Sequence, residues 1–333
     1  MKKFFALLLA LVMVISLVAC GETEEPTPET QTPETESTEG GFTFNRQIEL
    51  MIPGPEGSSV DITARRLAEL LKPELGVDVL VTDMAGGSGV TGFTWAKDQT
   101  HDGYFYCYSS PSFVGAAKLG NFDFDVLNSI TPMCSLLSSP DVFFTGGSNT
   151  KFSNFDEMKE YALAHPGDIT VAVQSTTGID GASMGQFLAN CGFELTMVNY
   201  QEEAIAAVIS GDVDLMMSTY GECEGFLESG DMKAIIALNE ERLPELPDIP
   251  CTVEEGIDCT LGPWFGFFCF NETPTEARDA FIAAVEKVTA TAEWRDYLES
   301  LGYIAEYKDS AGFAALVDET AEIMEAAFAY FAK

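Results

Sequence analysis

The sequence predicts an α/β fold in two lobes with a ligand cleft between them. Three observations carry that expectation. From about residue 42 onward, short runs rich in Val, Ile, Phe and Tyr alternate with helical patterns, the order of a parallel sheet covered by helices. The folded part is too long for one small core and fits two domains. Two long apolar stretches, at residues 130–147 and 263–270, fall where the chain would leave one α/β unit and later return to it.

The elements follow in order. "IELMIPG" is the first strand, and residues 60–71 form the first helix, with Ala64, Leu67 and Leu71 on one side and Arg65, Arg66, Glu69 and Lys72 largely elsewhere. "VDVLVTD" is the second strand. "MAGGSGVTGFTWAKDQ" is a glycine-rich turn entering a short helix, and "DGYFYCYSS" is the third strand. "ITPMCSLLSSPDVFFTGG" is apolar with a break at residues 138–140, and it crosses to the second unit. There the pattern predicts a helix ended by Pro166-Gly167, the strand "ITVAVQS", a turn and helix in "TTGIDGASMGQFLANCG", and the strand "ELTMVNY". The helix "EEAIAAVISG" and the strands "VDLMMST" and "KAIIALN" follow. "PWFGFFCF" is the return crossing, and from Thr275 on the chain reads as three helices.

Residues 1–19, "MKKFFALLLALVMVISLVA", have the charged start and apolar run of a secretion signal. The run ends in "LVAC", similar to the lipobox of bacterial lipoproteins, which implies cleavage before Cys20 and lipid on its thiol; the alternative is an uncleaved anchor helix. Either reading places the rest of the chain outside the cytoplasm, lipid-anchored to the outer face of the cell membrane or held there by the helix. Residues 21–41 carry seven Glu and no basic residue, so residues 20–43 read as the lipidated cysteine and a disordered acidic stalk. The signal segment holds two lysines and the stalk seven glutamates, so −31 of the formal −36 belongs to the folded part. So acidic a surface repels nucleic acid and anionic head groups. The expected organisation is residues 44–141 with 265–333 as one lobe and 142–264 as the other.

Beyond Cys20 there are seven cysteines, an odd number, with no C-x-x-C and no Cys/His cluster at zinc spacing. They read as small buried hydrophobes, with a disulfide between one pair as the alternative. No metal and no cofactor is expected. The two histidines, His101 and His165, lie in turns without a nucleophile nearby, and the sequence has no G-x-S-x-G, P-loop or H-E-x-x-H. Gly87-x-Gly89-x-x-Gly92 fits the dinucleotide spacing, but no acidic residue closes the next strand, so it reads as a loop offering backbone amides to a ligand.

A strand, a small-residue turn and a helix recur at residues 54–61, 85–92 and 175–181. Such turns are where open α/β sheets bind ligands, at exposed amides and helix N-termini. Each is also explained as ordinary turn and cap chemistry, since Ser58-x-x-Asp61 has the form of a capping box.

With those motifs in order, the chain resembles the substrate-binding receptors of tripartite tricarboxylate transporters, the Bug family. The resemblance rests on "IELMIPGPEGSSVDITARRLAELL", "VLVTDMAGGSGVTG", "HDGYFYCYSS", "GDVDLMMS", "LPDIPCTVEEG" and "WFGFF", and it covers residues 47–333. It implies two lobes of the periplasmic-binding-protein type, type II-like, enclosing a small ligand held by amides, hydroxyls and water. The matching positions are Pro55, Glu56, Gly57, Ser58 and Ser59; Ser88 and Gly89; and Ser109 and Ser110. On the other lobe they are Ser175, Thr176, Thr177 and Gly178, then Gln201, Glu202 and Glu203, and finally Ser218 and Thr219. The implied role is capture of a small polar metabolite, carboxylate-type or zwitterionic, for delivery to membrane transporter subunits. A sensor lipoprotein serving a membrane kinase and an exported cleft enzyme are the alternatives. The chain departs from the family pattern by adding Glu56 and by placing Gln201-Glu202-Glu203 where a lysine is usual. Carboxylates facing the cleft would argue against a citrate-like ligand; the alternative is that Glu202 and Glu203 open a helix and face solvent.

Overall fold

The computed structural model describes residues 41–173, 178–200 and 204–331. Cys20, Ser175, Thr176, Thr177, Gln201, Glu202 and Glu203, each singled out above, lie outside them. Phe42 already packs into the fold, its ring 5.0 Å from Phe44 and 5.9 Å from Tyr104.

The first unit opens with β1 (Ile48–Ile52), α1 (Ser59–Leu75) and β2 (Val79–Asp83), then a 3-10 turn (Gly87–Gly89) and α2 (Val90–Lys97). It continues through β3 (Phe105–Ser109), α3 (Ser112–Lys118), α4 (Val126–Ser129) and β4 (Ile130–Ser138). The second unit is β5 (Asp141–Gly146), α5 (Phe155–Ala164), β6 (Thr170–Val173), α6 (Ile179–Asn190), β7 (Thr196–Asn199), α7 (Ala204–Ser210), β8 (Leu215–Thr219), α8 (Tyr220–Ser229) and β9 (Met232–Ala237). The chain returns through β10 (Trp264–Phe270) and ends in α9 (Thr275–Thr289), α10 (Ala292–Glu299), β11 (Ile304–Lys308) and α11 (Ser310–Phe331).

These elements build two sheets, one per lobe. The first has six strands in the order β11-β4-β10-β3-β1-β2 and the second five in the order β7-β6-β8-β5-β9. β1 runs parallel to β2 and β3, and β6 parallel to β7 and β8. Both crossing strands, β10 and β5, lie antiparallel to their neighbours. β10 is buried on both faces, which is why "WFGFFCF" shows no polar alternation. Gly266 in its middle leaves room for Phe313 of α11, whose ring would collide with any Cβ there.

α1 forms because its apolar residues recur at helical spacing and bury Val60, Ala64, Leu67, Leu71 and Leu75. Gly76, at φ 72°, supplies the left-handed C-terminal stop. The seven cysteines of the folded part are buried free thiols. Burial pushes the Cys269 thiol up to about 11 and the Cys223 thiol up to about 12, so both stay protonated and unreactive at neutral pH.

Candidate functional site

The break read at residues 138–140 is the crossing between the sheets. β4 ends at Ser138 and β5 begins at Asp141. The returning segment runs alongside, with the Ser139 amide donating to the Pro263 carbonyl at 2.8 Å. Beside these paired crossings lies a cavity of about 500 Å³, within the range usual for small-ligand sites.

One wall comes from loops at the C-terminal ends of β1, β2 and β3. Pro55, Ser58 and Ser59 line it from the first loop, Ser88 and Gly89 from the second, and Ser109 and Ser110 from the third. The first loop is held from below. Asp61 is buried; its carboxylate accepts from the Gly57 amide at 2.7 Å and pairs with Arg65 at 2.6 Å, and Ser58 Oγ accepts from the Asp61 amide at 3.4 Å. Ser58 is thus the N-cap, but the reciprocal bond of a capping box is displaced by one residue, to the Gly57 amide; Ser58 and Ser59 stand at the N-terminus of a 17-residue helix, where first-turn amides have no partner within the helix.

The second loop has positive φ at four consecutive residues, 86–89, and Ser88 (φ 55°) is the one non-glycine there. A Cβ on Gly89 would lie 2.9 Å from that of Phe113, so the loop approaches α3 as only glycine allows. Strained backbone of this kind persists where the surroundings over-determine it, commonly at ligand sites.

The opposite wall comes from the second sheet and has different chemistry. It contains Met217, Ser218 and Thr219 at the end of β8, with Asp141, Asp180 and Glu222. Ser218 Oγ donates to the Glu222 carboxylate. Asp141 is only 4% exposed and its Oδ2 has no hydrogen-bond partner among the described residues; the same holds for Oγ of Ser139 beside it. Burial, and then the neighbouring carboxylates of Asp180 and Glu222, hold the Asp141 carboxyl well above the usual carboxylate range. Among the described residues no Lys, Arg or His lines the cavity. The nearby Arg65 is engaged by Asp61 and Asp83. A carboxylate placed against this wall therefore meets further carboxyl groups and, among the described residues, no cation to offset them.

Nine residues singled out from sequence therefore line the cavity: Pro55, Ser58, Ser59, Ser88, Gly89, Ser109, Ser110, Ser218 and Thr219. Glu56 and Gly57 are exposed and lie outside the lining. Gly178 is buried at the start of α6 and does not line it either. Sequence reasoning missed Asp141, Asp180 and Glu222; the available signal was an acid in the otherwise apolar "SSPDVFF". His101 is occupied elsewhere, its Nε2 3.0 Å from the Ala96 carbonyl and its ring stacked on Phe270. A second, larger cavity of about 1010 Å³ lies behind the crossings, lined by the flank of α11 and the edge strand β11. It takes no residue from the loops that follow β1, β2 and β3 or from the end of β8, which wall the first.

A sequence profile described as the tripartite tricarboxylate transporter family receptor, TctC, matches residues 63–327. The chain belongs to this family. Among characterised sequences, the receptor is 26% identical to the protein BugT of Bordetella pertussis over 230 residues, covering 66% of this chain and 69% of that one. Among solved structures it is similar to a TctC solute-binding protein from Polaromonas, with a TM-score of 0.76, 19% identity, and 85% of this chain and 98% of that one covered. It is also similar to MatC of Rhodopseudomonas palustris, solved with malate, with a TM-score of 0.69, 22% identity, and 85% and 98% covered. An R. palustris protein solved with adipate has a TM-score of 0.72, 20% identity, and 85% and 97% covered. The two-lobed fold and the receptor family expected from sequence are thus those of this chain. No described helix is long and apolar enough to cross a membrane.

Proposed function

We propose that this receptor is exported, is anchored by lipid at Cys20, captures a small polar metabolite in the cleft and delivers it to the membrane subunits of a tripartite tricarboxylate-type transporter. In this reading residues 44–141 with 265–333 and residues 142–264 are the two lobes, and the chain is a receptor and not an enzyme. The observation that carries it is the cavity walled by loops from both sheets beside two paired crossing segments. A ligand touching both walls favours the state in which they are close, and a ligand shifts a conformational equilibrium only by such differential contact. The relatives solved with malate and with adipate support a small polar ligand.

A thermal-shift panel of dicarboxylates, amino acids and neutral polar metabolites tests the reading, because a ligand bound only by the folded state raises the melting temperature. A clear shift with one class is expected. No shift with any member overturns the receptor role.

A further inference from the structure

The two walls of the cleft differ in sign. Loops of the six-stranded sheet present serine hydroxyls, glycine backbone and a helix N-terminus, a surface suited to an anion or a polar group. The side facing them presents three carboxylates and, among the described residues, no cation. Asp141 and Ser139 both line the cavity, and Asp141 Oδ2 and Ser139 Oγ, which have almost no accessible surface, have no hydrogen-bond partner among the described residues. Buried polar atoms in folded proteins are nearly always paired, and a buried carboxylate oxygen calls for a donor. A metal ion is not the evident donor, since among the described residues no group of three or more His, Cys, Asp or Glu is placed to hold one.

We propose that the ligand carries a protonated nitrogen, seated against Asp141 on the wall that also carries Asp180 and Glu222, and that its other, anionic or polar end rests on Ser58, Ser59 and Ser88. This rests on the receptor reading above and narrows its substrate class to amino-acid-like zwitterions, away from di- and tricarboxylates. The Asp141 carboxylate accepts from the ligand's N–H, and the Ser139 hydroxyl completes the shell of the ammonium. Because the cation meets one wall and the anion the other, a single ligand draws both walls together.

Calorimetry on the purified full-length chain tests this with matched pairs: 4-aminobutyrate against succinate, and 6-aminohexanoate against adipate, with the twenty standard amino acids beside them. Amine-bearing probes are expected to bind at least tenfold more tightly than dicarboxylates of equal length. Asp141→Asn and Glu222→Gln, each checked for folding by circular dichroism, are expected to weaken the best amine-bearing probe at least tenfold. Tighter binding of succinate or adipate overturns the inference and leaves the receptor reading standing. Amine binding that both variants leave unchanged overturns it too. Absence of binding by every probe, in a chain that also gives no shift in the wider panel, removes both.

Discussion

Gly221 and Gly302 pack backbone against backbone, each next in sequence to a residue that lines the cleft. A Cβ on Gly302 would collide with the N and Cα of Gly221, and one on Gly221 would collide with the Leu301 carbonyl. The lining residues beside them are Glu222 on one side and Tyr303 on the other. The contact is therefore a steric gauge of how closely α8 approaches the turn before β11. Gly221 does not need a positive φ, so Gly221→Ala introduces a clash without intrinsic backbone strain. Overpacking a close contact typically costs about 1–3 kcal/mol. The expected outcome is ligand affinity lowered roughly 5- to 150-fold, with a larger radius of gyration of the liganded protein in small-angle scattering. Unchanged affinity would mean that this contact is not made in the bound state.

Legibility of the cleft from sequence divided along its two walls. The Ser58 to Asp61 cap, the glycines at 86–89 and the serines ending "FYCYSS" announce strand-to-helix turns through local chemistry, so that wall was readable. Asp141 reaches the cavity only because β5 pairs with β8, setting Asp141 opposite Thr219, a long-range register that no local pattern encodes. Glu222 was missed with its helix: α8 contains Gly221 and Gly225 and buries only Cys223, so it lacks both propensity and an apolar stripe. β11 was missed because it is short, never fully buried, and paired with β4 at only a few positions.

The first loop separates capping from recognition. Ser58→Ala removes an N-cap and is expected to cost about 1 kcal/mol of stability. Asp61→Asn weakens the bond from the Gly57 amide and the pair with Arg65, and is expected to cost about 1–3 kcal/mol. Glu56 looked from sequence like the acid that would set ligand preference, but it is exposed and outside the cavity lining. Glu56→Gly should therefore change stability by no more than about 0.5 kcal/mol and leave the order of ligand affinities intact. Urea denaturation and calorimetry on the three variants check this; a reordered ligand preference in Glu56→Gly would return that residue to the site.

Export and anchoring rest on "LVAC" and make a separate prediction. Cys20→Ala removes the only thiol in the leader segment. It should abolish incorporation of labelled palmitate and move the protein out of the membrane fraction, with ligand affinity of the purified chain unchanged. Membrane retention with no lipid label would favour the uncleaved anchor helix instead.

Asp141 gives the cleft a pH signature. Burial and the nearby carboxylates raise its carboxyl in the folded chain above its unfolded value. Between those two values the folded state binds more protons than the unfolded one, so this residue's contribution to stability falls as pH rises through the window. Below the ordinary Asp range both states are protonated and the penalty vanishes. Asp141→Asn removes the ionisation, so the variant without ligand should melt at a higher temperature than the parent at pH 7, and the gap should close as pH falls towards 4. A bound ammonium favours the ionised form, so amine binding should release protons within the same window and weaken as the solution is acidified. Calorimetry in phosphate and in bis-Tris at pH 6, two buffers of different ionisation enthalpy, reads that release as a buffer-dependent heat, absent in Asp141→Asn. Equal heats in the two buffers for the parent protein would place the ligand's cation away from Asp141.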